Sequence, residues 1–382
     1  MEVEQFNMKA KTYEGLEDVL GRELMRIGAE DVNTELCTVT FSGDKYLLYR
    51  ANYELRTALK IYREILKFEF STKDEFYNAL KDYRWSKILN IYKSYSVESI
   101  VKCSAFENDE NINENVSKII NDYFNLKSKK TPPKDSTNPA VKIVFEITDN
   151  SCEMMLDAGG TSLSDRGFGL QSGTSKINEV YAAGLIQLSG WKSFTNLCDP
   201  ICSSGLILME AAMYAYNIPA QVCRETFGFF TWRDFDTDLW QRIKNEARLR
   251  IKHNGEIAFK IFGYDISEPV VKAAQQNIKK ALLDKYITVS VLPIDKIELP
   301  KMEANTLIIN PSATDYKYKP EETQRYFEQL GKNLKRNFKG VKTWIHSNYP
   351  DLNKTLGMQP IKEISIFNGL EECKFSLFEV YN

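Results

Sequence analysis

From residue 177 onward, strand-sized apolar runs alternate with helix-sized amphipathic ones, and that alternation constrains the fold more than any other feature. A helix over 177–188 leads to a strand over 196–198 and a helix over 206–215. Strand 260–264 precedes helix 268–283; strands 288–291 and 306–309 each run into a loop. A long helix over 320–338 comes before a strand over 342–346. Such an order calls for a parallel sheet with helices on both faces. The finish departs from it. Asn368-Gly369 separates strand-like runs 363–367 and 372–380, and Asn-Gly is the strongest short hairpin signal.

Before residue 160 the pattern differs. Leu16, Val19, Leu20, Leu24 and Ile27 recur at three- and four-residue spacing, one helical stripe that Gly28 stops. Strands are expected over 37–41, 66–70, 96–103, 141–148 and 152–157, and helices over 73–83 and 113–126. Residues 45–62 mix helical and strand character. Asp149-Asn150 between the last two strands marks a hairpin. These elements describe an α+β module. The expected division is 1–60, 61–160 and 161–382.

The 382 residues suffice for two or three domains. The longest apolar stretches are strand-sized, too short for a bilayer, and the N-terminus lacks the pattern of a secretory signal. A cytoplasmic protein without a membrane partner is expected. Of seven cysteines only Cys198 and Cys202 lie close, with His253 and His346 the only histidines. A structural zinc site needs four close ligands, so no metal and reduced thiols are expected. The net charge of −2 does not advertise nucleic-acid binding. Residues 1–160 carry 22 basic against 27 acidic side chains, and the remainder 28 against 25. Any nucleic-acid contact must therefore be local, and Lys127, Lys129, Lys130 and Lys134 offer such a patch, which reads equally well as a solvated loop.

In an open parallel sheet, ligands bind beyond the carboxyl ends of the strands. Four such ends carry polar residues. Asp199-Pro200-Ile201-Cys202-Ser203-Ser204-Gly205 opens directly into a helix, where small residues and free amides suit an anionic ligand group and Asp199 suits an ammonium. Asp265 can accept from two ribose hydroxyls, and Asp295 from an adenine amine. Asn310-Pro311 follows the apolar strand. Asp199 or Ser203 alone is also an ordinary helix cap; the series of four, each after its own strand, is more specific. Together they fit S-adenosylmethionine. No Gly-x-Gly-x-x-Gly turn is present at 199–205, as a dinucleotide reductase would require.

The stretches EGLEDVLGRELMRIGAEDV, FSGDKYLLYRANYELRTALKI, YRWSKIL, DRGFG, AAGLIQLSGW, DPICSSG, FGYDIS, IINPSA and FNGLEEC resemble the bacterial THUMP-containing methyltransferases that modify the guanine exocyclic amine of large-subunit ribosomal RNA. The resemblance implies a class I, Rossmann-like α/β methyltransferase domain whose mostly parallel sheet ends in an antiparallel hairpin. An α+β ferredoxin-like/THUMP RNA-binding module would precede it. It implies S-adenosylmethionine as cofactor, bound by Asp199, Pro200, Ser203, Gly205, Asp265 and Asp295. Asn310 and Pro311 would be catalytic, and Arg166, Phe168, Lys129 and Lys130 would bind RNA. Trp191, Trp232 and Trp240 are expected in the core.

Three departures from the family pattern stand out. Ser203 replaces a glycine; Ser312 and Ala313 replace a proline and a base-stacking tyrosine; Gly169-Leu170 replaces a second basic residue. Loss of a stacking aromatic costs about 1–3 kcal/mol in nucleic-acid contacts. Tyr316 or Tyr318 could supply the missing face. Two readings remain: an active RNA methyltransferase, or a catalytically impaired RNA-binding homologue.

Overall fold

The computed structural model describes residues 4–103, 106, 111–169, 177–252, 259–297, 305–311 and 320–379. Its first half runs β1 (Phe6–Lys11), α1 (Glu17–Arg26), β2 (Glu30–Glu35), β3 (Thr38–Gly43), α2 (Lys45–Glu54), β4 (Lys60–Glu69), α3 (Lys73–Asp82), β5 (Tyr95–Lys102), α4 (Ile112–Ser128), β6 (Val141–Thr148) and β7 (Ser151–Asp157). These strands form one seven-stranded sheet in the order β2-β3-β1-β4-β7-β6-β5, in which β5 and β6 are parallel. Strand β4 pairs with β1 on one side and β7 on the other, so the expected boundary after residue 60 falls at the start of a strand both units share.

Alternation along each strand gives the sheet two unlike faces. Met8 and Ala10 are buried in the core with Phe41, Ile61, Phe145 and Met154, whereas Lys9 and Lys11 point the other way. There they meet Glu146 and Glu153, beside Lys67–Glu153 and Lys60–Asp157.

The second half runs α5 (Glu179–Leu188), β8 (Asn196–Asp199), α6 (Leu206–Ala215), α7 (Thr237–Leu249), β9 (Ile261–Asp265), α8 (Glu268–Lys280), β10 (Ile287–Val291), β11 (Asn305–Ile309), α9 (Pro320–Asn337), β12 (Lys342–Ser347), α10 (Leu352–Leu356), β13 (Lys362–Asn368) and β14 (Glu371–Glu379). The sheet order is β10-β9-β8-β11-β12-β14-β13; β14 is antiparallel to both neighbours, while β10 to β12 are parallel. Side chains of α5, α6 and α8 cover one face and those of α9 and α10 the other. The expected parallel sheet with a terminal hairpin is therefore the observed fold. No described helix is long and apolar enough to cross a membrane.

The two halves exchange packing. Leu16 and Val19, at the start of α1, belong to the second core. In return, the 3-10 turn Gly228–Thr231 and α7 send Phe229, Trp240 and Ile243 into the first. Trp191, Trp232 and Trp240 are all buried, the last two in the core of the first half. Between the halves lies a buried polar knot. Glu23 accepts from the Arg56 and Thr57 amides, the Thr57 hydroxyl and Gln187. The Arg56 guanidinium donates to the carbonyls of Met213 and Ile218. The seven cysteines are free thiols.

Candidate active site

Strand order reverses between β8 and β11: β9 and β10 lie to one side, β12 to the other. A reversal of this kind opens a crevice at the carboxyl ends of the two central strands. Asp199 ends β8, Asp265 ends the adjacent β9, and Asn310 follows β11 on the opposite side. Register puts Asp199 beside Gly263 and Cys198 beside Leu307, so the three polar groups rise from three neighbouring strands.

The loop after β8 is held from below and behind. Cys202 N–H donates to the Tyr264 carbonyl at 2.8 Å, and Asn277 of α8 donates to the Ser204 carbonyl at 3.2 Å. Gly205 sits at φ +80°, a left-handed conformation that lets the chain turn straight into α6 without a side-chain cap. The first amides of α6 are thereby left to a ligand. Ser203 is also left-handed, at φ +47°. For a residue with a Cβ that conformation costs on the order of 1–2 kcal/mol, which the glycine of the resembling family would avoid. Its amide faces Asp265 Oδ2 at 3.4 Å, while Asp265 Oδ1 accepts from Ser267 N–H at 3.0 Å.

Asp199 is buried, and its Oδ1 accepts from Ile201 N–H at 3.1 Å. Burial, with a smaller push from Asp265, raises its carboxyl to about 8; no described basic side chain opposes them. A carboxyl in this state is a fitting partner for a ligand's ammonium, because the arriving cation supplies what desolvation removed. The donor set thus suits the methionine end and ribose of S-adenosylmethionine. Pro200 and Gly205 are buried in the same loop. Asp295, by contrast, is exposed on the 3-10 turn Ile294–Lys296, and its backbone carbonyl is tied down by Arg336 and Asn337.

On the other side, Pro311 is buried and the Asn310 carboxamide oxygen lies 2.7 Å from His346 Nδ1. His346, on β12, also meets the Tyr181 hydroxyl of α5 at 2.9 Å through Nε2. Neither partner was singled out from the sequence: each contact joins distant positions, and neither residue sits in a recognisable motif. Ser312, Ala313, Tyr316 and Tyr318 lie outside the described residues.

Two residues expected on the RNA are buried. Arg166 is only 1% exposed; its guanidinium is spent on Glu210 at 3.2 Å and on the carbonyls of Leu163 and Arg56. Buried arginines need such partners, and this one ties the loop before α5 to α6 and to the first half. Phe168 is buried in the second core. Lys129 and Lys130 are exposed just past α4, where Lys129 takes the left-handed cap position. Their neighbours are engaged: Lys127 bonds the Tyr123 hydroxyl and Lys134 pairs with Glu114.

Comparison with known proteins agrees with this architecture. Residues 7–62 match the RlmL ferredoxin-like domain, 70–157 the THUMP domain and 166–376 the RMKL-like methyltransferase domain. The ribosomal RNA large subunit methyltransferase K/L of Cellvibrio japonicus is 29% identical over 375 residues, which is 96% of this chain but 50% of that protein. The chain therefore spans about half the length of that relative. A candidate RNA methyltransferase of Synechocystis sp. is 27% identical, with 96% and 95% of the two chains covered. Among solved structures, a candidate methyltransferase complexed with SAH superposes with a TM-score of 0.88 at 25% identity, each chain covered in full. Since the methyltransferase match alone takes in more than half of the residues and coincides with the sheet carrying Asp199, Asp265 and Asn310, the chain belongs to the RMKL-like methyltransferase family.

Proposed function

We propose that the chain is an S-adenosylmethionine-dependent RNA methyltransferase acting on the exocyclic amine of guanine, with large-subunit ribosomal RNA as substrate. The observation that carries this reading is the rise of Asp199, Asp265 and Asn310 from adjacent strands at the point where strand order reverses. S-adenosylmethionine supplies an electrophilic methyl group. Asp199 would hold its ammonium, the start of α6 its carboxylate, Asp265 its ribose, and Asp295 its adenine amine. The SAH held by the relative superposing at 0.88 is the demethylated form of the same donor and supports this assignment.

A guanine amine is a weak nucleophile because its lone pair is delocalised into the ring. The Asn310 carboxamide oxygen and the Pro311 carbonyl are acceptors suited to its two hydrogens, which would keep the lone pair directed at the donor. The nitrogen–carbon bond forms as the sulfur–carbon bond breaks, and the extra proton leaves to water, so no protein base is required. RNA as substrate is supported by the THUMP match and by the ribosomal RNA methyltransferases aligned along nearly all of this chain. Lys129 and Lys130 are exposed basic residues that would serve it. Shape rather than bulk charge would select the RNA, given the net charge of −2.

A second reading has specific support. Ser203 is strained where the resembling family has glycine, and Ser312-Ala313 lacks the stacking aromatic. A binding protein that holds RNA, with or without donor, and transfers nothing would tolerate both. Labelled donor incubated with unmodified ribosomal RNA, beside calorimetry with donor alone, separates the two. Label on guanine N2, lost in Asn310→Ala while donor binding persists, is the expected result. Donor binding without transfer in the natural chain favours the second reading, and absence of donor binding removes the first and weakens the roles given to Asp199 and Asp265.

A further inference from the structure

We propose that His346 and Tyr181 are positioning residues that lock the Asn310 carboxamide in the one flip state able to accept from a substrate amine. The inference rests on the role assigned to Asn310 above and adds what gives that side chain its orientation. A carboxamide is nearly symmetric in shape, but one end accepts and the other donates. A flipped Asn310 would present N–H to an amine N–H and repel it. Something in the fold must choose.

The choice is made beneath the site. Asn310 Oδ1 lies 2.7 Å from His346 Nδ1, and His346 Nε2 lies 2.9 Å from the Tyr181 hydroxyl. All three come from different elements: the end of β11, β12 and α5. His346 is buried, and burial alone brings its pKa down to about 4, so the ring is neutral near pH 7. A neutral imidazole has one donor and one acceptor nitrogen. Burial likewise raises the Tyr181 phenol, which therefore keeps its proton. In the proposed lock the phenol donates to Nε2, so that the ring proton resides on Nδ1 and points at the Asn310 oxygen. An amide oxygen carries two lone pairs, and the bond from His346 uses one. Tyr181 is fixed in turn: its ring packs edge-on against both His346 and Tyr13, each at 5.2 Å between centroids. Tyr13 comes from the first half of the molecule and accepts from Asn178, the residue that caps α5. The orientation of one carboxamide is thus passed down a line of packed rings.

The test uses the full chain with labelled donor and unmodified ribosomal RNA. His346→Leu and Tyr181→Phe should lower kcat about ten- to a hundredfold, the loss typical when a ligand-orienting partner is removed. KM for RNA and donor affinity by calorimetry should stay within about twofold of the natural chain, since only the reacting geometry changes. His346→Gln, whose amide can still donate to Asn310, should recover part of the rate. A readout independent of turnover comes from nitrogen-15 NMR of labelled histidine, simplified because the chain has two histidines. The natural protein should show the Nδ1–H tautomer for the signal that His346→Leu removes, and Tyr181→Phe should shift it. An Nε2–H tautomer, or full kcat in His346→Leu when Asn310→Ala is dead, overturns the inference and leaves the role of Asn310 standing. Full transfer by Asn310→Ala overturns that role and the inference together. If the protein binds donor without transferring it, the tautomer still decides the lock.

Discussion

Burial pushes the Asp199 carboxyl up to about 8, and this sets a pH dependence of definite sign. In the unfolded chain the group titrates near its ordinary 3.8. A carboxyl raised on folding contributes stability that is complete below that value and is lost progressively as pH climbs towards 8. Donor-free protein should therefore lose stability across pH 4–8, and Asp199→Asn should remove that part of the slope. Melting temperature against pH, compared between the two proteins, checks this; identical profiles would show that Asp199 does not titrate in that window. Binding a cation reverses the balance. Donor affinity should rise with pH up to about 8, with proton release visible as a buffer-dependent heat. Asp265, half-buried at the end of the next strand, accepts instead from the Ser267 and Ser203 amides.

Elements with one strongly apolar face were legible in the sequence. The helix expected over 320–338 is α9, and the hairpin around Asp149-Asn150 is β6–β7 with nearly the expected bounds. Strand β2, EDVNTE, escaped because its residues are almost all exposed and carry no alternation. Helix α7 escaped although Trp240, Ile243 and Ala247 recur at helical spacing behind an Asp236 cap; it was obscured by polar neighbours. The site divided along similar lines. Asp199, Asp265 and Asn310 were visible because each follows a strand. His346 and Tyr181 were not, since they meet 165 positions apart through tertiary packing. Arg166 was read from the family resemblance alone, and its burial against Glu210 is tertiary packing that a loop sequence does not display. At this scale one close element contact is at Gly228, where a Cβ would stand 2.4 Å from the Asp157 carbonyl and 3.0 Å from the Gly160 amide. Gly228→Ala must push the 3-10 turn off the end of β7. A loss of about 1–3 kcal/mol is expected in denaturant titration, as for other overpacked contacts; an unchanged midpoint would mean the turn is loosely held.

The molecule as a whole is two sheets joined by a buried polar seam. Arg166 and Glu210 sit in it with essentially no exposure, and one Glu210 oxygen has no partner among the described residues. Removing only the arginine strands a carboxylate. Arg166→Met should cost about 3–5 kcal/mol, and Arg166→Met combined with Glu210→Leu should recover much of it. Equilibrium unfolding of the single and double variants measures the difference. Were Arg166 an RNA ligand instead, the single variant would fold normally and lose only RNA affinity.

Strand β4 has a further consequence. Because it is sewn to β1 along one edge and to β7 along the other, the ferredoxin-like and THUMP portions are not beads on a string. They make a single plate, bolted to the methyltransferase sheet by α1 and α7. The angle between that plate and the crevice at Asn310 is therefore built in at folding, as the pitch of a thread is cut into a screw.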